Sequence, residues 1–180
     1  MKIQLKKELR GEFQEVTIEK GTSIEELYKT MENELPYTVL AAKVNNKPVT
    51  LAYKIHRDCR IEFLDMRTQL ANLIYQNSLS LIYLKAAYDV IGDFEVDIEN
   101  SLNKGLYTEI KSDVPVTAAQ VRAIEKRMHE IVEENLPLER LELTKEEAEN
   151  FFIQSGRSGK IALLEENPYM KKIPFYTLGG

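Results

Sequence analysis

The sequence predicts an α+β protein made of two successive units. Three observations carry this reading. Period-two alternation recurs along the chain, helical apolar stripes open on Ser/Thr-x-x-Glu/Gln capping boxes, and pattern and charge both change near residues 66–69. The 180 residues are 43% hydrophobic and 29% charged, which suits a packed core rather than a disordered chain. The net charge of −5 is unevenly spread. Residues 1–67 hold 12 Lys/Arg against 11 Asp/Glu, whereas residues 68–180 hold 12 against 18. A nucleic-acid coat over the whole chain is thereby excluded, and a local basic face on the first unit stays open. The lone cysteine, Cys59, permits no intramolecular disulfide. The charged start lacks the apolar run of a signal peptide, and no stretch reaches the ~18–20 apolar residues of a membrane helix, so a cytoplasmic protein without membrane contact is expected.

Residues 1–66 read as the first unit. Ile3 and Leu5 alternate with Lys2, Gln4 and Lys6 as in a half-buried strand, and Phe13, Val16 and Ile18 mark a second strand beyond Gly11. Thr22 or Ser23 can cap the next helix, and Glu26 stands three residues after Ser23, as a capping box requires. The helix places Ile24, Leu27, Tyr28 and Met31 on one face, and Pro36 closes the segment. In VLAAKVNNKPVTLAY two short strands flank Asn45-Asn46, residues able to adopt positive φ in a tight turn. Arg60 to Asp65 alternates once more. Strand, strand, helix and three strands is the order of a ubiquitin-like β-grasp, a step of analogy rather than derivation.

Residues 67–180 form the second unit. A long apolar helix, roughly Leu70 to Ile91, carries Leu73, Ile74, Leu81, Ile82, Leu84 and Ala87, with Gly92 as its C-cap. Phe94, Val96 and Ile98 and then Leu106 to Ile110 make a hairpin around Asn103-Lys104-Gly105. Thr117 with Gln120 caps a helix whose buried stripe is Val121, Ile124, Met128, Ile131 and Val132, ending before Pro137. Leu138, Leu141 and Leu143 belong to a short strand. Thr144 with Glu147 opens a further helix holding Ala148, Phe151 and Phe152, and Gly156 stops it. Lys172 to Leu178 reads as a strand halted by Gly179-Gly180, as if the chain stopped within a domain.

Enzyme motifs are scarce. Gly156-Arg157-Ser158-Gly159-Lys160 superficially resembles a phosphate-binding loop, but Gln154 and Ile161 stand where the first glycine and the Mg²⁺-ligating Ser/Thr belong. A Walker-type nucleotide site is therefore not expected. His56 and Cys59 lie three apart in a turn and His129 is alone on a helix, short of the three or four ligands of a zinc site. No metal is expected, and Cys59 lacks an activating neighbour. Lys43, Lys47, Lys54, Arg57 and Arg60 cluster in the later part of the first unit. They read either as a solubilising surface or as a face for RNA phosphates or an acidic partner.

The Gly21-Thr22-Ser23-Ile24 helix start, the Ala41-Ala42-Lys43-Val44-Asn45 strand and Leu51 make residues 1–65 resemble a TGS domain. Residues 70–180 resemble the editing, or second additional, domain of threonyl-tRNA synthetases. The most specific segment is Ile124 to Ile131, followed by Asn135-Leu136-Pro137 and Thr144-Lys145-Glu146-Glu147-Ala148. Gly105-Leu106-Tyr107 and the Gly156…Lys160 loop are also similar. The family carries a His-x-x-x-His pair on its long first helix, and Gln76 and Ser80 stand at those positions here. Two histidines at i and i+4 share a helix face and could hold a metal or polarise a water, roles that Gln and Ser cannot fill at neutral pH. The departure implies lost editing chemistry. Either a polar pocket of Gln76, Ser80, Tyr107 and Lys160 survives to bind a small ligand, or a water-filled groove is left.

The pairing of TGS and degenerate editing domains further resembles the N-terminal half of bacterial uridine-type nucleoside kinases. That resemblance implies a non-catalytic regulatory or binding region. It implies a following kinase domain as partner, ATP and Mg²⁺ belonging to that domain alone, and a nucleoside, nucleotide or RNA as a further ligand. Two other readings stand beside it. One is a free-standing tRNA-editing deacylase, and the other is an RNA-binding adaptor using Lys43, Lys54, Arg57 and Arg60.

Overall fold

The computed structural model describes residues 1–92, 95–99, 105–111, 114–155, 161–167 and 169–179. Phe94, the Asn103-Lys104 turn and the Gly156–Lys160 loop singled out above lie outside these residues. The chain divides into two units, Met1–Leu79 and Ser80–Gly180. Helices and strands are mixed in both, so the α+β class holds.

In the first unit β1 (Lys2–Lys6), β2 (Gln14–Thr17), β3 (Ala41–Val44), β4 (Lys47–Val49) and β5 (Arg60–Leu64) form one sheet in the order β2-β1-β5-β3-β4. The β1–β5 pair is parallel and the other pairs are antiparallel. Asn45 (φ 47°) and Asn46 (φ 67°) make the two-residue β3–β4 turn, whose two positive φ values match the twist of the flanking strands. Helix α1 (Ile24–Lys29) opens on its capping box. The Glu26 N–H donates to Ser23 Oγ at 3.1 Å, and the Ser23 N–H donates to Glu26 Oε2 at 2.7 Å. This second bond, aided by the Ser23 hydroxyl, holds the Glu26 carboxyl below its ordinary value.

Period-two alternation sends Ile3, Leu5, Ala42, Val44, Ile61 and Phe63 to the inner sheet face, where Ile24, Leu27, Tyr28 and Met31 close the core. Each fully buried aliphatic side chain contributes roughly 1.5–3 kcal/mol. The opposite face is partly covered by the start of α2 (Gln69–Ile91), where Ala71 packs on Ala41 and Leu64 with Leu40, Leu70 and Ile74 around them. The approach to α2 is locked by Asp65. Its Oδ1 accepts from the Arg67 backbone N–H and Nε, and its Oδ2 accepts from Arg67 Nη2 at 2.7 Å. Thr68 Oγ1 donates to the Asp65 carbonyl and accepts from the Ala71 N–H, capping the helix. Arg67 in turn lies 4.1 Å above the Tyr37 ring.

In the second unit β6 (Glu95–Glu99) pairs with β7 (Tyr107–Lys111), and β8 (Leu138–Thr144) pairs with β9 (Lys172–Leu178), both antiparallel. Helix α3 (Ala118–Glu134) starts on the Thr117/Gln120 box and stops at Asn135 in the left-handed region. Helix α4 (Lys145–Gln154) starts on the Thr144/Glu147 box, and α5 (Ile161–Glu165) follows. Ala86 and Ala87 of α2 meet Ile124 and Ile131 of α3, with Met128 and Leu178 at the edge. Arg127 ties the same elements together, with Nε 2.8 Å from Asp89 Oδ2 and Nη1 2.6 Å from Glu134 Oε1. Phe151, Phe152 and Phe175 form a separate aromatic cluster with centroids 5.3–5.9 Å apart.

The stripe expected on α3 is narrower in the structure. Ile124 and Ile131 are buried, but Val121 and Val132 are more than half exposed. At 100° per residue they lie about 60° and 80° round the helix from Ile124, beyond the reach of the alanine contact surface. On α2, Leu73 is likewise exposed while small Ala71, Ala86 and Ala87 are fully buried.

Two outcomes follow. Ile61→Ala should cost about 2–5 kcal/mol, read from denaturant unfolding, because it empties the centre of the first core. The hydrogen bonds from Arg67 hold Asp65 below the ordinary carboxyl value. A depressed folded pKa contributes stability that is present above the unfolded value near ~3.9 and is lost as pH falls through the folded value. Asp65→Asn should therefore lower stability at neutral pH by on the order of 1–2 kcal/mol. The gap between the two proteins should close as pH drops below about 4, and parallel pH–stability curves would refute it.

Candidate functional site

The outer face of the first sheet is assembled from the residues that alternation turns away from the core. Register places Lys43 opposite Glu62 and Glu62 beside Lys6, giving a row across β3, β5 and β1. Glu62 Oε1 lies 2.8 Å from Lys6 Nζ, and its Oε2 lies 3.9 Å from Lys43 Nζ. One residue pair along, Arg60 is held by its backbone: its N–H donates to Asn45 Oδ1 at 2.9 Å, and its carbonyl accepts from the Asn45 N–H at 2.8 Å. The Arg60 guanidinium extends to 5.7 Å from the centroid of the Phe13 ring. Phe13, Lys43, Asn45, Asn46, Arg60 and Glu62 line an open groove of about 530 Å³. Its carboxylate is shared between two lysines, so the floor is not anionic, and the guanidinium leaves the rim cationic. A flat aromatic plane beside cations suits a planar, negatively charged ligand.

The expected basic cluster is thereby divided. Lys43 and Arg60 line the groove, whereas Lys54 and Arg57 are exposed on the β4–β5 connection outside its lining. Lys54 bridges to Ser23 through its backbone. Among the described residues Lys47, Lys54, Arg57 and Arg60 have no carboxylate within 4 Å, unlike Lys2, Lys6, Lys7, Lys29 and Arg67. Burial pushes the Cys59 thiol up, away from a reactive thiolate.

Sequence reasoning missed Phe13, Asn45, Asn46 and Glu62 as site residues, although a signal for Phe13 was present. It is out of phase with Val16 and Ile18, which pack against the core, so period two turns Phe13 to the other face.

Gln76 and Ser80 stand one turn apart on α2, Gln76 in the first unit and Ser80 in the second. The Gln76 amide donates to Asn72 Oδ1 at 2.8 Å. Tyr107 begins β7 in the second unit with half its surface exposed, and Lys160 lies outside the described residues. Among the described residues no three His, Cys, Asp or Glu side chains gather to hold a metal ion, and no helix is long and apolar enough to cross a membrane.

No protein-family model matches the chain. Over some nine tenths of its length it is nevertheless threonyl-tRNA-synthetase-like. It is 30% identical to the threonine–tRNA ligase of Clostridium kluyveri over 165 residues, 92% of this chain and 26% of the relative. To that of Caldanaerobacter subterraneus it is 32% identical over 161 residues, 89% of this chain and 25% of the relative. To threonine–tRNA ligase 2 of Bacillus subtilis it is 27% identical over 169 residues, 94% and 26% respectively. The chain thus spans about a quarter of the length of the curated relatives it matches. These relatives overturn the expectation of a uridine or nucleoside kinase, since they are consistently threonine–tRNA ligases. The physical reason is plain: Gln76 and Ser80 report on which chemistry these positions can perform, not on which catalytic domain accompanies them.

Proposed function

We propose that this chain is a tRNA-binding module related to threonine–tRNA ligases, binding RNA through the outer sheet face of its first unit without deacylating mischarged tRNA. The carrying observation is the cationic groove in which Arg60 stands against Phe13 and Lys43 beside a neutralised carboxylate. The similarity to proteins named for tRNA supplies the ligand class. Residues 1–66 are read as a TGS-type β-grasp. The order β2-β1-β5-β3-β4, with parallel β1 and β5 central and α1 across one face, supports that reading. Residues 67–180 are read as an editing-like domain whose histidine pair is replaced by Gln76 and Ser80.

Charge supports the division of labour. The 12 Lys/Arg and 11 Asp/Glu of residues 1–67 leave that part slightly positive, and the rest is acidic. RNA phosphates are thus drawn to the first unit and repelled from the second. Absence of deacylation rests on chemistry. A glutamine amide and a serine hydroxyl cannot accept a proton near pH 7 without a stronger base.

The test pairs tRNA binding with deacylation of mischarged tRNA. Binding should weaken as salt rises, and Lys43→Glu with Arg60→Glu, both in the groove, should lower affinity by at least about tenfold at 0.1 M salt. No turnover is expected. Salt-independent binding would sink the RNA reading, and turnover abolished by Gln76→Ala or Ser80→Ala would establish a deacylase instead.

A further inference from the structure

The groove has more structure than phosphate attraction requires, and its extra parts point to what it holds. A surface that only tracks a phosphate backbone needs mobile cations. Here an aromatic ring is displayed on a sheet face, 43% exposed and outside the core cluster. The only side of Phe13 engaged by a cation in the described residues is the one under Arg60. Arg60 is itself fixed at its backbone by two hydrogen bonds to Asn45. Asn45 spends its Oδ1 on that contact, which leaves its amide NH₂ to donate at the rim. The turn beneath holds both asparagines at positive φ. At the floor Glu62 offers carboxylate oxygens, each with a lysine on one side.

We infer that this groove is a subsite for a single unpaired nucleotide of RNA, the base lying against Phe13 with its donor edge toward Glu62, and the phosphate at Arg60 and Lys43. The proposal rests on the RNA-binding reading above and narrows it from a charged face to a stacking site. Three features decide the orientation. The Glu62 carboxylate can accept from a base N–H but has no proton to donate to a phosphate oxygen, so the base edge faces Glu62 and the phosphate faces the guanidinium. The aromatic plane offers stacking, which any base can use and which is available only when that base is released from a helix. The volume of about 530 Å³ falls within the range of small-ligand sites. A protein partner would be expected to meet a broader apolar patch. The uncovered outward positions beside it are Gln4, Lys6, Lys43 and Pro48, of which only Pro48 is apolar.

The test uses the full chain and fluorescence anisotropy with a short labelled single-stranded RNA, its duplex and a tRNA. Phe13→Ala should weaken single-strand binding by at least about tenfold with an unchanged salt slope. Phe13→Trp should restore binding. Arg60→Gln should reduce the slope of log K against log salt by about 0.7, one phosphate contact on a single strand. The duplex should compete poorly. Circular dichroism of Phe13→Ala should match the parent, because the ring lies outside the core. Single-strand binding that ignores Phe13, or a duplex that competes equally, overturns the subsite. If tRNA binds while Phe13→Ala is silent, the function stands and the subsite fails. If tRNA does not bind but single strands bind in a Phe13-dependent way, the subsite stands and the tRNA assignment fails.

Discussion

The two faces of β5 set the terms for the whole first unit. This strand lies at the middle of the sheet, parallel to β1 on one side and antiparallel to β3 on the other. Its side chains are therefore fixed from both flanks, and a slip of one residue would exchange its two faces. With the observed register, Ile61 and Phe63 enter the core beneath α1, while Arg60 and Glu62 reach the opposite surface. Core and groove are thus a single constraint viewed from two sides. The ion pairs on the outer face follow from it, since Lys6 and Lys43 are the register neighbours of Glu62. Such partly exposed pairs add little stability, so their consequence lies in charge: they neutralise the one carboxylate in a cationic groove.

A different solution operates on α2. Apolar and polar residues are spread around this helix without a dominant stripe, a pattern that by itself does not choose a buried side. The choice is made by size. Alanines at 71, 86 and 87 let other elements approach the backbone closely, and bulkier Leu73 and Tyr88 are left outward. The direction in which the helix leaves the sheet is set by Asp65, whose carboxylate collects three hydrogen bonds from Arg67. Local electrostatics and steric size, rather than hydrophobic periodicity, direct this helix.

Much of the local structure was legible because its causes are local. The Ser23, Thr117 and Thr144 capping boxes and the Asn45-Asn46 turn form where their residue types place them, since each needs only neighbours within three residues. The α3 stripe was over-read at Val121 and Val132 because its width depends on what packs against it. The basic cluster was legible as a composition but not as a site, because adjacency across β3 and β5 is a matter of register. The kinase expectation failed for another reason: Gln76 and Ser80 bear on the chemistry of one helix and are silent about which catalytic domain accompanies it.

The sequence by itself determined the α+β class, the helix starts, the tight turn and the absence of a basic side chain at positions 76 and 80. Each is a property of a residue and its near neighbours in the chain. Only the tertiary structure decided that Phe13, Lys43, Arg60 and Glu62, spread over some fifty residues, share one groove. That juxtaposition is created by strand pairing between distant segments, and pairing is chosen by the burial of Ile61 and Phe63, residues that take no part in the groove.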